Sequence, residues 1–179
     1  MEAKQIKRIS KYLSLILRHR PEKINLQLDK NGWASVDSLL QKSSNFGIDF
    51  NKEALDFIIE NNNKKRFSYN YNQTKIRANQ GHSIDIELGY APVEPPETLF
   101  HGTAKHFLTD IKAKGLQKMN RHHVHLSAGR DTATNVGSRH GSVTVLTVRS
   151  KEMYDAGYEF FISPNGVWLT DNVPVEYFD

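Results

Sequence analysis

The densest concentration of potential chemistry lies at residues 119–129, where Arg121, His122, His123 and His125 lead into the small turn Ser127-Ala128-Gly129. His-Val-His-Leu at 123–126 fits a short strand, with His123 and His125 on one face and Val124 and Leu126 on the other. An arginine beside such a strand suits a polyphosphate: a guanidinium forks phosphate oxygens, and the backbone N–H groups of a small-residue turn approach them closely. The same residues also fit a half-buried edge strand with one polar face. His-x-His is a metal-binding spacing, but the chain has no cysteine and no carboxylate nearby to complete a site, so no metal is expected.

A second cluster, Arg18-His19-Arg20, closes a predicted helix. Ile6, Ile9, Leu13, Ile16 and Leu17 recur at steps of three and four, and Pro21 ends the pattern. Cations in a last helical turn are favoured by the helix dipole whatever else they do. Three successive side chains nevertheless point in different directions, and those not serving the dipole are available to an anion.

Composition narrows the chemistry further. The chain has 179 residues, 38% of them hydrophobic, which is enough for one ordinary domain or two small ones with packed cores. Without cysteine, catalysis must run on His, Arg, Lys, hydroxyls or carboxylates. No run is long and apolar enough to span a bilayer and no signal-type segment opens the sequence, so a cytoplasmic protein is expected. The net charge of +4 is unevenly spread: residues 1–90 hold 15 Lys and Arg against 10 Asp and Glu, residues 91–179 hold 9 against 10. Nucleic-acid affinity, if present, belongs to the first half, although a difference of this size is equally compatible with solvated surface.

The elements that must position these side chains follow in order. After the first helix, Ser35 and Asn51 are suited to cap two shorter helices, the latter with Leu55, Ile58 and Ile59 on its apolar face. Beyond Asn61-Asn62-Asn63 the period changes to two, and 66–69 with 75–78 read as a hairpin closed by Asn79-Gln80-Gly81-His82-Ser83. Three helices followed by a hairpin is a winged-helix pattern. Half of the six prolines fall within 91–97, which marks a linker between residues 1–90 and 98–179. In the second half, 99–103 and 142–148 read as strands, 104–114 and 131–139 as helices, Gly115 as a stop, and 160–162, 167–169 and 173–177 as further short strands. The fold class is α+β, with a mostly antiparallel second lobe.

Six blocks together carry a resemblance: Leu15-Ile16-Leu17-Arg18-His19, Lys65-Arg66-Phe67, Gln80-Gly81-His82-Ser83, Phe100-His101-Gly102-Thr103, residues 120–127, and residues 165–170. In this order and across nearly the whole chain they resemble the RNA 2'-phosphotransferase family of KptA type. The resemblance implies a winged-helix RNA-binding lobe followed by an ADP-ribosyltransferase-like lobe that binds NAD as a consumed co-substrate. It further implies removal of an internal RNA 2'-phosphate in two steps. The phosphate first attacks C1 of the nicotinamide ribose and expels nicotinamide; the 2'-hydroxyl of that ribose then attacks phosphorus, releasing 2'-OH RNA and ADP-ribose 1'',2''-cyclic phosphate.

By the same resemblance Arg18, His19, Arg66 and Arg121 are the catalytic set. Three guanidiniums from two lobes suit a dianionic phosphate, and His19 could protonate the departing RNA oxygen or assist the attacking hydroxyl. His101, Gly102, Thr103, His125 and Ser127 are implied for NAD, with Gly102 allowing close approach of the dinucleotide. Arg20, Gln80, His82 and Ser83 are candidates for RNA or phosphate, the last three either touching phosphate or only bracing the hairpin. Residues 165–170 lack the glutamate that other ADP-ribosyltransferases use to assist a nucleophile, which agrees with an acceptor that is already anionic; Glu159 and Glu176 lie close enough in sequence to keep that point open. Two other readings stand beside this one: ADP-ribosylation of a terminal nucleic-acid phosphate, and a winged-helix binding protein whose second lobe senses NAD. No exposed apolar repeat suggests a partner, so a monomer is expected.

Overall fold

Helix α1 (Ala3–Arg18) buries Ile9, Tyr12, Leu13, Ile16 and Leu17 along one stripe, as the three- and four-residue spacing predicts. A computed structural model supplies the coordinates and describes residues 2–62 and 64–179, so Asn63, in the run where the period was expected to change, lies outside the described residues. The chain divides into two compact units, Met1–Gly89 and Tyr90–Asp179.

In the first unit α1 is followed by a 3-10 turn at Pro21–Ile24, strand β1 (Ala34–Ser35), helix α2 (Val36–Asn45), helix α3 (Lys52–Glu60) and strands β2 (Phe67–Tyr69) and β3 (Lys75–Ala78). Both expected caps are formed: Ser38 N–H donates to the Ser35 hydroxyl at 3.3 Å, and Ala54 N–H donates to the Asn51 side chain at 2.9 Å. Each satisfies a backbone donor that a helix start leaves unpaired. The hairpin is antiparallel, with Phe67 opposite Ala78, and β1 pairs with β3 to give the order β1-β3-β2. Leu13, Ile16, Leu39, Leu55, Ile58, Phe67 and Ile76 share one core.

The second unit contains strand β4 (Leu99–Ala104), helix α4 (Leu108–Lys114), strands β5 (Leu116–Gln117) and β6 (Val124–Leu126), helix α5 (Arg130–Gly137), strand β7 (Val143–Val148), helix α6 (Ser150–Asp155), and strands β8 (Phe161–Ile162), β9 (Trp168–Thr170) and β10 (Asn172–Val173). All its strand pairs are antiparallel: β4 with β7, β6 with β9, β9 with β8, and β5 with β10. Phe100 and Ser127 exchange two backbone hydrogen bonds of 2.8 Å, which join β4 to the exit of β6. The segment 91–97, read as a linker, is tied into this unit by Val93 N–H to Phe160 O at 2.8 Å and by the Ser150 hydroxyl to Pro96 O at 2.7 Å.

Two expectations are corrected. Residues 173–177 are not one strand: β10 stops at Val173, and Val175–Tyr177 is a 3-10 turn. Pro174, which has no N–H to give a ladder, sits between them. Phe107, expected on the apolar face of 104–114, is 45% exposed, because that stretch opens as a 3-10 turn at Lys105–Phe107 before α4 begins. Among the described residues no helix is long and apolar enough to cross a membrane.

Candidate functional site

The first unit gathers its candidates where α1 ends. Arg18 is the last helical residue and His19 the C-cap, with His19 N–H bonded to Leu15 O. The segment after the hairpin runs back to this point: Ser83 N–H donates to Arg18 O at 2.9 Å, and Ser83 Oγ lies 2.9 Å from His19 Nδ1, in hydrogen-bond contact. One residue therefore holds both the helix end and the imidazole.

Arg66 immediately precedes β2, and its Nη1 donates to the Asn62 side chain at 3.4 Å. Arg66 O accepts from Asn79 N–H at 2.9 Å, and the Asn79 amide donates to Lys65 O at 2.6 Å, so the 79–83 segment fixes this arginine's backbone as well. The Arg18 guanidinium carbon stands 5.9 Å from the centroid of the Phe67 ring, the residue next to Arg66. The 79–83 segment thus bonds the backbone at both Arg18 and Arg66 and the imidazole of His19. The Arg18 guanidinium over the Phe67 ring and the His19 imidazole bonded to Ser83 are groups that suit a multiply charged anion.

His82 is only 1% exposed, and its Nε2 lies 3.8 Å from where a Cβ on Gly32 would stand. Gln80 is half-buried beside it. Arg20 belongs to the exposed turn after α1, where its Nη1 faces Glu22 at 3.9 Å. Asn62, Phe67 and Asn79 were not among the expected site residues: Asn62 marked only the change of period after α3, and Phe67 and Asn79 belonged to the hairpin and its close.

In the second unit β6 alternates as expected: Val124 and Leu126 are buried and His125 is half-buried. Arg121, exposed in the preceding turn, donates from Nη1 to His125 Nδ1 at 3.4 Å. His101 Nδ1–H donates to His125 O at 3.0 Å, since a carbonyl oxygen can only accept. That bond fixes the tautomer, leaving Nε2 of the neutral ring as an acceptor. Burial holds the His101 pKa below the ordinary histidine value and the Arg121 charge adds to this, while the bond to His125 O opposes it. A neutral acceptor of this kind fits a ribose hydroxyl. Thr103, two residues along β4, shares its strand face, and Ser127 is bridged to β4 through Phe100.

Gly102 is different. A Cβ there would come 1.7 Å from Ala133 O and 3.0 Å from Gly137 N, so its open side is filled by α5. On that side α5 packs directly against β4. His123, whose ring centroid is 5.4 Å from that of Phe161, also has a lowered pKa, chiefly through burial, with His122 and Lys118 acting the same way and Asp171 opposing. Among the described residues no group of three or more His, Cys, Asp or Glu is placed to hold a metal ion.

The model of the RNA 2'-phosphotransferase, Tpt1 / KptA family matches residues 4–172. A probable RNA 2'-phosphotransferase of Flavobacterium johnsoniae is 55% identical over 173 residues, covering 97% of this chain and 95% of that protein. Proteins with the same description from Acaryochloris marina and Fusobacterium nucleatum are 50% identical over 174 residues and 49% identical over 171, covering 97% and 95% of this chain and 96% of each relative.

Proposed function

The chain belongs to the RNA 2'-phosphotransferase, Tpt1 / KptA family, and from that premise we propose that it is a transferase that removes an internal 2'-phosphate from RNA by passing it to NAD. The 2'-phosphate attacks C1 of the nicotinamide ribose and nicotinamide leaves with the bond electrons. The 2'-hydroxyl of that ribose then attacks phosphorus, the RNA 2'-oxygen departs and takes up a proton, and ADP-ribose 1'',2''-cyclic phosphate is released. The three helices with β1-β3-β2 are read as a winged-helix lobe, and the antiparallel second unit as an ADP-ribosyltransferase-like lobe.

The observation that supports this reading is that the 79–83 segment holds the His19 ring and the Arg18 carbonyl through Ser83 and the Arg66 carbonyl through Asn79. A phosphate dianion is bound best by forked donors, and the charge on its equatorial oxygens during the second step is stabilised by the same donors. His19, oriented through Nδ1, presents Nε2 as the group that protonates the departing RNA oxygen. Arg121, in the second unit, binds phosphate. His101, Thr103, His125 and Ser127 bind NAD, His101 as a neutral hydrogen-bond acceptor. Gly102 serves by letting α5 pack against β4 so that His101 and Thr103 are held in place.

The test is to mix the protein with a 2'-phosphorylated oligoribonucleotide, with and without NAD, and to identify products by mass. Loss of the phosphate only with NAD, together with nicotinamide and a cyclic phosphate of ADP-ribose, is the expected result. A stable ADP-ribosylated RNA as the end product would move the assignment to terminal-phosphate modification. Phosphate loss that is indifferent to NAD would overturn it.

A further inference from the structure

The cations along α1 are not explained by the fold. Lys4, Lys7, Lys11 and Arg18 are separated by three, four and seven residues, which stacks them on one face of the helix. Ile9, Leu13 and Ile16 fill the opposite, buried face. Lys4, Lys7 and Lys11 are all exposed, and α1 contains no acidic residue. Among the described residues the recorded ion pairs of Lys and Arg include none of these three lysines.

This placement works against helix stability. Lys4 and Lys7 stand near the positive end of the helix dipole, the first turn has no acid, and the N-cap Glu2 makes no side-chain cap bond. Lys4 with Lys7 and Lys7 with Lys11 are like-charge pairs at spacings where repulsion is felt. Neutral helix formers would suit these positions better, so the charges call for a polyanion from outside. Arg8 stands at the margin of the stripe and lines a shallow depression that also includes Asp49.

We infer that Lys4, Lys7 and Lys11 form a track for the sugar-phosphate backbone of the single strand flanking the 2'-phosphate, extending the RNA site from Arg18 toward the start of α1. This rests on the proposed function for the identity of the anion at Arg18. At the helical rise per residue, Lys11 lies about 10 Å and Lys4 about 21 Å along the axis from Arg18. A strand several nucleotides long spans that distance and a dinucleotide does not. Leu15, 37% exposed between Lys11 and Arg18 in sequence, offers an apolar contact for a ribose.

The experiment compares the wild-type chain with Lys4→Gln/Lys7→Gln/Lys11→Gln on two 2'-phosphorylated RNAs, a dinucleotide and a long single strand. Binding of the labelled long strand is followed by fluorescence anisotropy across a salt series. Removing three cations should lower the slope of log affinity against log salt by about 2 and weaken binding roughly ten- to fifty-fold at physiological salt. Single-turnover rates on the dinucleotide should not change, the thermal midpoint should not fall, and the corresponding triple Lys→Arg variant should restore slope and affinity. An unchanged salt slope overturns the inference, and so does an equal loss on the dinucleotide, which would place the effect at Arg18. Failure of the proposed function shows separately, as a wild-type chain that leaves the dinucleotide's phosphate in place while anisotropy still reads the track.

Discussion

His19 Nδ1 and Ser83 Oγ lie 2.9 Å apart although 64 residues separate them in sequence, and Ser83 N–H also bonds Arg18 O. A proton donor must be held within reach and at the right angle, and this pair is what turns the imidazole at the end of α1. Ser83→Ala should therefore lower the rate of the phosphate-releasing step about tenfold, with little change in KM for RNA. Ser83→Thr, which keeps the hydroxyl, should recover most of the rate. A variant whose defect is wholly in KM would show that Ser83 binds RNA and does not position His19.

Arg18 and His19 are assigned to the second step, in which an oxygen departs and negative charge spreads over the phosphoryl group. Arg18→Ala or His19→Ala should slow that step by about two to three orders of magnitude while nicotinamide release continues faster, so ADP-ribosylated RNA accumulates. Single-turnover gels resolve the two stages. Equal slowing of both would remove the division of labour. Arg66→Lys should not restore function, because an ammonium cannot fork two phosphate oxygens.

Gly102 carries a prediction in which structure and ligand binding part ways. A Cβ placed 1.7 Å from the Ala133 carbonyl has nowhere to go, since the obstacle is the backbone of α5. Gly102→Ala should destabilise the protein by about 3 kcal/mol. The effect should be the same with or without NAD, read from urea denaturation. A variant of ordinary stability with weakened NAD binding would return Gly102 to the dinucleotide.

Local rules made much of the fold legible. Ser35 and Asn51 announced the helix starts they cap, Gly115, at φ 77°, the end of α4, and the alternation of Val124, His125 and Leu126 the face that β6 buries. What the sequence hid depends on distant partners. Strands β1 and β5 are two residues each and exist because Ile76 and Val173 lie opposite Ala34 and Leu116. Helix α6 buries only Ser150 and Met153, too few to form a periodic stripe. In the same way Arg18, His19 and Arg66 could be nominated from their motifs, whereas the Asn62 side chain that accepts from Arg66 and the Asn79 N–H that bonds Arg66 O could not, because such contacts leave no pattern in the sequence.

The last prediction concerns pH. His101 and His123 both have pKa values lowered chiefly by burial, so the folded chain keeps them neutral to lower pH than the unfolded chain does. Between the ordinary histidine value, about 6.5, and the lowered folded values, the unfolded state binds more protons, and stability falls as pH falls. Above that window the two states bind protons equally at these sites and the penalty vanishes. The carboxylates with lowered pKa, Asp29 and Asp56, lose their contribution only at more acid pH, so the window above about pH 5 isolates the histidines. Urea midpoints should decline from about pH 7 to about pH 5. His101→Asn, whose amide can still donate to His125 O, should flatten the decline, whereas an unaltered slope would mean that His101 takes up a proton as readily folded as unfolded. It would then be no neutral acceptor for a ribose hydroxyl.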